Sequence, residues 1–139
     1  MAVQRTLAMI KPDATARSLG GKILARYEEE GFAILAIKKL RLSEAEARAF
    51  YVVHRERPFY ASLCTFMCSG PIFAVALERE DAVAHLRAVM GATDPAQAAP
   101  GTIRALYAES IERNSVHGSD APATAAEEIA FFFTRRDLL

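Results

Sequence analysis

The residues best suited to chemistry stand together at Asn114-Ser115-Val116-His117-Gly118-Ser119-Asp120, where one imidazole is surrounded by an amide, hydroxyls, a carboxylate and a glycine. Imidazole has an unperturbed pKa of about 6.5, so near neutrality it can act as a nucleophile or carry a proton. Gly118 beside it admits the close approach of a ligand or of backbone. Taken alone, His117 reads as a partly exposed histidine in a polar turn, and any chemistry needs partners from elsewhere in the chain.

Phosphate sites are built either from glycine-rich loops or from converging Lys and Arg side chains. The first route is absent: Gly20-Gly21-Lys22 is followed by Ile23 and has Ala16 where the first P-loop glycine belongs, and there is no G-x-G-x-x-G run. The second leaves Lys11, Arg87 and Arg104, each at an element end or loop edge, each by itself an ordinary solvated charge. No serine sits in a nucleophile elbow, and His54, His85 and His117 lack zinc spacing. Cys64 and Cys68, one helical turn apart, read as buried thiols on an apolar face.

The elements that must position these groups follow from periodicity. Thr6 to Ile10 reads as a buried central strand stopped by Lys11-Pro12-Asp13, and Gly20 to Glu30 as an amphipathic helix closed by Gly31. Phe32 to Leu42 reads as a strand leaving the core. A capping box, Ser43-Glu44-Ala45-Glu46, opens a helix toward Val53, with Tyr51 and His54 at its end. A further helix is expected from Arg57-Pro58 to Gly70, with Phe59, Leu63, Phe66 and Met67 as its stripe. Pro71 to Leu77 is of strand length. Glu80-Asp81 then suits the start of a helix that buries Ala82, Val83, Leu86, Val89 and Met90, leaves His85 on the wet face and ends at Gly91. Gly91 to Gly101 is a long irregular loop. After it come a short helical stretch to Ile111, the His117 segment, a Thr124-Ala125-Ala126-Glu127 capping box and the apolar Ile129 to Phe133. The order strand, helix, strand, helices, strand, helix, strand predicts an α+β sandwich with one sheet face covered by helices.

A chain of 139 residues fits a single domain spanning 1–139. Its 17 basic and 17 acidic residues cancel, so no overall field recruits nucleic acid or an anionic membrane. Met1-Ala2-Val3-Gln4-Arg5 runs straight into a strand without a signal core, and no long apolar span follows, so a cytoplasmic protein is expected.

Thr6 to Asp13, His54-Arg55-Glu56-Arg57-Pro58-Phe59, Met90-Gly91-Ala92-Thr93-Asp94-Pro95, Gly101-Thr102-Ile103-Arg104 and Asn114 to Asp120 together resemble the signature blocks of nucleoside diphosphate kinases. These blocks occur in order across nearly the whole chain, which is far more specific than any one motif. The resemblance implies a ferredoxin-like sandwich with a four-stranded antiparallel sheet covered by helices. It also implies that the Gly91 to Gly101 segment borders a nucleotide cleft and contributes to assembly. By position, His117 resembles the family's phosphate-accepting histidine, and Lys11, Arg87, Thr93 and Arg104 its phosphate ligands. Asn114 and Lys11 match groups facing the ribose, and Phe59 the aromatic platform under the base. Tyr51 and Ser119 match residues around the histidine, and Glu128 the carboxylate that orients it.

The expected activity is ping-pong transfer of the γ-phosphate of ATP, GTP or another triphosphate to a nucleoside diphosphate, through a phosphohistidine on His117. Mg²⁺ should arrive with the nucleotide, held by phosphates and water. An alternative is a catalytically idle nucleotide-binding regulator of the same fold. A nucleic-acid-binding module is disfavoured by zero net charge. A homotetramer built from dimers is expected, since Thr134 to Leu139 is shorter than the extension of the hexameric animal enzymes; a hexamer is the other possibility.

Overall fold

The computed structural model describes residues 2–138. Four strands form one antiparallel sheet in the order β2-β3-β1-β4. At its centre β1 (Val3–Ile10) pairs with β3 (Ile72–Glu80), in register from Val3 opposite Glu80 to Ile10 opposite Phe73. Outside β3 runs β2 (Ala33–Leu40), with an irregularity between Ile34 and Ala36. On the other side of β1 lies the short β4 (Val116–Gly118), which sets His117 opposite Met9.

Among the described residues seven α-helices connect and cover the sheet: α1 (Pro12–Ala16), α2 (Gly20–Glu29), α3 (Glu44–Phe50), α4 (Tyr60–Met67), α5 (Ala82–Met90), α6 (Ile103–Tyr107) and α7 (Pro122–Phe132). Side chains alternate across a strand, so β1 feeds two cores. Leu7 and Met9 pack with Ala74, Ala76, Met67, Cys64, Ile129 and Phe132 on one face; Ala8 and Ile10 pack with Val75, Leu77, Ile23, Tyr27, Leu86 and Ile103 on the other. Both faces are therefore covered, not one as the element order suggested, and this is why Leu7 to Ile10 are apolar without alternation. Full burial of each of the large side chains Leu7, Met9 and Ile10 contributes about 1.5–3 kcal/mol.

Several boundaries differ from the sequence expectation. The Ser43 cap forms as expected, its Oγ accepting from the Glu46 amide while Glu46 accepts from the Ser43 amide, but α3 stops at Phe50 and a 3-10 turn, Val52–His54, follows. Arg57-Pro58 lies in the turn before α4, and Phe59 is its N-cap, 47 % exposed and off the buried stripe. Glu80 ends β3, and Asp81 is left-handed at φ 55° with no side-chain cap bond. The short helix after the loop ends at Tyr107, well before Ile111.

α7 starts at Pro122, so Thr124 is its third residue and its hydroxyl accepts from the Ala121 amide. Most of the apolar Ile129 to Phe133 run lies in that helix, and β4 supplies the fourth strand. His85 is only part exposed; it bonds Glu30 and packs on Phe32. Cys64 is buried, but Cys68 lies at the end of α4 and is half-buried. The five apolar positions expected of α5 are all buried, and Gly91 ends the helix at φ 85°, where a side chain would be strained and would meet Thr102. No helix among the described residues is long and apolar enough to cross a membrane.

Candidate active site

His117 projects from β4 into a cleft of about 780 Å³. Its Nε2 lies 2.8 Å from Oε1 of Glu128 on α7, and Ser119 Oγ donates to the same oxygen at 2.9 Å while accepting from the Leu7 amide at 3.2 Å. The carboxylate is thus fixed from behind by β1, and it selects the tautomer in which Nε2 carries the proton. Nδ1 then keeps a lone pair and has no hydrogen-bond partner among the described residues. The rings of Phe50 and Tyr51 stand nearly perpendicular to the imidazole at 5.4 and 6.2 Å, limiting its tilt. Burial pushes the Tyr51 phenol well above its ordinary range, so it stays protonated.

The chain enters β4 through a strained turn. Ser115 has φ 73°, left-handed for a residue with a side chain, at a cost on the order of 1–2 kcal/mol. Three bonds hold it there: its amide and hydroxyl donate to Asp13 Oδ2 at 3.1 and 3.3 Å, and its carbonyl accepts from the Lys11 amide at 2.9 Å. Next to it, Lys11 Nζ donates to Asn114 Oδ1 at 2.9 Å and to the Glu112 carbonyl at 3.1 Å. Burial lowers the Lys11 pKa from 10.5 to about 8; Asp13 opposes this, and nearby Arg104 adds to it.

Arg104 is buried, its guanidinium donating to the carbonyls of Gly91 at 3.0 Å and Val116 at 2.9 Å, so it ties α6 to the end of α5 and to β4. Burial first, then Arg87, lowers its pKa. Arg104 Nε has no partner among the described residues. Arg87, from the last turn of α5, is exposed and reaches Asp120 at 2.6 Å. Asn114 Nδ2 donates to the Thr93 carbonyl at 3.3 Å and so ties the Gly91 to Gly101 loop to the site. Phe59 stands at the cleft's mouth, 5.3 Å from the His54 ring.

Of the ten residues expected from the sequence, nine line this one cleft: Lys11, Tyr51, Phe59, Arg87, Thr93, Arg104, Asn114, His117 and Glu128. Ser119 is fully buried behind Glu128, to which its hydroxyl donates. Sequence reasoning missed Phe50, Asp13 and Asp120. Phe50 looked like one more apolar helix residue, and Asp13 meets Ser115 only across 102 positions. Asp120 was within the recognised segment, but nothing local joined it to Arg87. Gly118 serves backbone packing, since a Cβ there would lie 2.7 Å from Met90 Cε and 2.9 Å from Leu86 Cδ2 on α5.

Among the described residues no cluster of three His, Cys, Asp or Glu is placed to hold a metal ion. What the cleft offers is a nucleophilic nitrogen of fixed orientation, cations entering from three elements and an apolar mouth, which together suit transfer of a phosphoryl group.

Residues 4–138 match the family model described as nucleoside diphosphate kinase. The chain is 59 % identical over 139 residues to the nucleoside diphosphate kinase of Roseobacter denitrificans, covering 100 % of this chain and 99 % of that protein. It is 62 % identical over 133 residues to that of Acidiphilium cryptum, covering 96 % and 95 %. The fold superposes on the crystal structure of the Aquifex aeolicus nucleoside diphosphate kinase with a TM-score of 0.98, at 45 % identity and 99 % and 100 % coverage. On the Halobacterium salinarum enzyme in complex with CDP the TM-score is 0.95, at 40 % identity and 99 % and 92 % coverage. The sheet, the cleft and these relatives agree, and the chain belongs to the nucleoside diphosphate kinase family.

Proposed function

We propose that this nucleoside diphosphate kinase works in two half-reactions through His117. In the first, the Nδ1 lone pair attacks the terminal phosphorus of a nucleoside triphosphate; the N–P bond forms as the bond to the bridging oxygen breaks, and the diphosphate leaves with that electron pair. In the second, the terminal oxygen of another diphosphate attacks the phosphohistidine and Nδ1 recovers its lone pair. The observation that carries this reading is the bond from His117 Nε2 to Glu128, which leaves Nδ1 as the nitrogen free to react.

Little covalent chemistry remains for the protein, so the rate rests on positioning and on charge neutralisation. Lys11, Arg87 and Arg104 supply the positive charge, Thr93 and Asn114 orient the phosphates and ribose, and Phe59 provides a face for the base. Tyr51 and Ser119 restrain the imidazole and its carboxylate. Mg²⁺ comes as part of the nucleotide substrate, on phosphate oxygens and water. The Halobacterium relative was solved with CDP, which supports a nucleotide in the equivalent cleft here.

The assembly proposed is a homotetramer built from dimers, with a hexamer as the alternative. β2 is an edge of the sheet, and Ile37 on it is 43 % exposed, which favours a second copy along this side. Phe132 and Phe133 are buried within the subunit and Phe131 lines the cleft beside Phe50, so this run gives no support. A cytoplasmic setting and the absence of a nucleic-acid role belong to the same reading.

The deciding experiment is incubation with γ-labelled ATP and then with unlabelled diphosphates. Label should join the protein and then pass to each diphosphate. Direct transfer without labelled protein would overturn the two-step mechanism.

A further inference from the structure

Asp13 takes no part in the reaction above, yet it is the most deeply enclosed carboxylate near the cleft. Its side chain is fully buried in the first turn of α1. Oδ2 accepts the amide and hydroxyl of Ser115 and lies 3.6 Å from the Arg17 guanidinium; Oδ1 has no partner among the described residues. A carboxylate with an empty acceptor in a dry place is costly unless its charge is used. The neighbour it serves is Lys11, two residues away, whose ammonium is likewise buried.

We propose that Asp13 is a positioning residue for phosphoryl transfer: its carboxylate pins the left-handed Ser115 between Asn114 and His117, and its charge keeps the buried Lys11 ammonium cationic. This rests on the assignment of Lys11 and His117 to the transfer.

The surroundings of Lys11 allow the two signs to be separated. Arg104, from α6, and burial itself disfavour the ammonium; Asp13, on its own turn, and Glu112, in the loop before β4, favour it. Glu112 accepts from Ser62 at its carboxylate, and from α4 only the Phe66 ring faces Nζ, at 5.7 Å. Of the two acids Asp13 has the larger influence. Burial raises the Asp13 pKa, while Lys11, Arg17, its own backbone and Ser115 pull it back toward the charged form. The two charges favour one another's ionised forms without a direct bond, and the cation nearest Asp13 is Arg17 at 3.6 Å.

The test is the pH dependence of kcat/KM for purified Asp13→Asn, which keeps an acceptor for Ser115 and removes the charge. Because Lys11 is cationic only below its pKa, losing Asp13 moves the alkaline limb to lower pH. A shift of about one unit is expected, with a roughly tenfold loss of kcat/KM on that limb. Labelling from γ-labelled ATP separates the two levels of the argument. If the wild-type protein acquires no phosphohistidine, the transfer assignment itself fails. If it labels normally while Asp13→Asn shows the wild-type limb and kcat, the role of Asp13 alone is overturned. Should Asp13→Asn not fold, the same profile is measured with Ser115→Gly added, since glycine takes the left-handed turn unaided. A displaced limb in that double variant supports the proposal, and a limb coinciding with wild type overturns it.

Discussion

Arg87 and Asp120 form an ion pair of 2.6 Å across the cleft's edge, with side chains 53 % and 81 % exposed. Such exposed pairs contribute at most about 1 kcal/mol, so a phosphate can displace Asp120 from Arg87 cheaply. Asp120→Asn is expected to leave the melting temperature almost unchanged and to tighten nucleotide binding by less than about fivefold. Calorimetric titration with ADP checks this. Weaker binding would mean that Asp120 holds Arg87 in place for the phosphate.

Substituting His117 by Gln is expected to abolish labelling by γ-labelled ATP, whereas His54→Gln and His85→Gln should still label. The bond should be acid-labile and base-stable, as a phosphoramidate is. Label that survives His117→Gln and disappears in either other variant would move the nucleophile.

Glu128→Gln is expected to slow phosphohistidine formation by about 10–100-fold with little change in nucleotide affinity, because the carboxylate orients the ring and fixes its tautomer. Rapid-quench measurement of the first half-reaction reads this out. An unchanged rate constant would remove Glu128 from the mechanism.

Lys11 sets activity and stability against one another in alkaline solution. Its folded pKa, about 8, lies below the unfolded value of 10.5, so between these values the unfolded chain binds more protons. Lys11 therefore destabilises the fold below pH 8, and this penalty, on the order of 3 kcal/mol, is relieved as pH rises toward 10.5. Activity should fall over the same interval. Denaturant unfolding of wild type and Lys11→Met across pH 8 to 10 isolates the effect: wild type should gain stability relative to the variant, and parallel curves would contradict it.

Phe59 offers a stacking face without donors or acceptors for base edges. Phe59→Ala should raise KM by about 10–100-fold for purine and pyrimidine nucleotides alike, with kcat kept. A loss confined to one base would reveal polar readout elsewhere in the cleft.

Much of this arrangement could be read along the chain wherever the cause was local. The α5 stripe, the Ser43 cap and the Gly31 and Gly91 stops each depend on neighbours within a turn, and each stands where its residues placed it. The start of α7 was equally local but carried by Pro122, with Thr124 bonding back to Ala121 from the third position rather than capping the helix itself. Six of the nine cleft residues lie in the family-like blocks and Tyr51, Arg87 and Glu128 came by position in the wider resemblance, while Asp13, although inside a block, and Phe50 escaped because their roles exist only after β4 docks on β1. A buried aspartate after a proline looks, in sequence, like any acid in a first helical turn.

Gly118 gives the site a fixed gauge. With no side chain at this position, Leu86 and Met90 rest directly on the strand that carries His117, and Arg87 rides between them on the same helix. The spacing between His117 and Arg87 is thus machined into a helix-to-strand contact rather than left to loop adjustment. Adding even one methyl would force Leu86 and Met90 aside or lift α5, and displacements near 1 Å can cost about a hundredfold in rate. The tolerance of the whole phosphoryl relay is accordingly set at a residue with no side chain of its own.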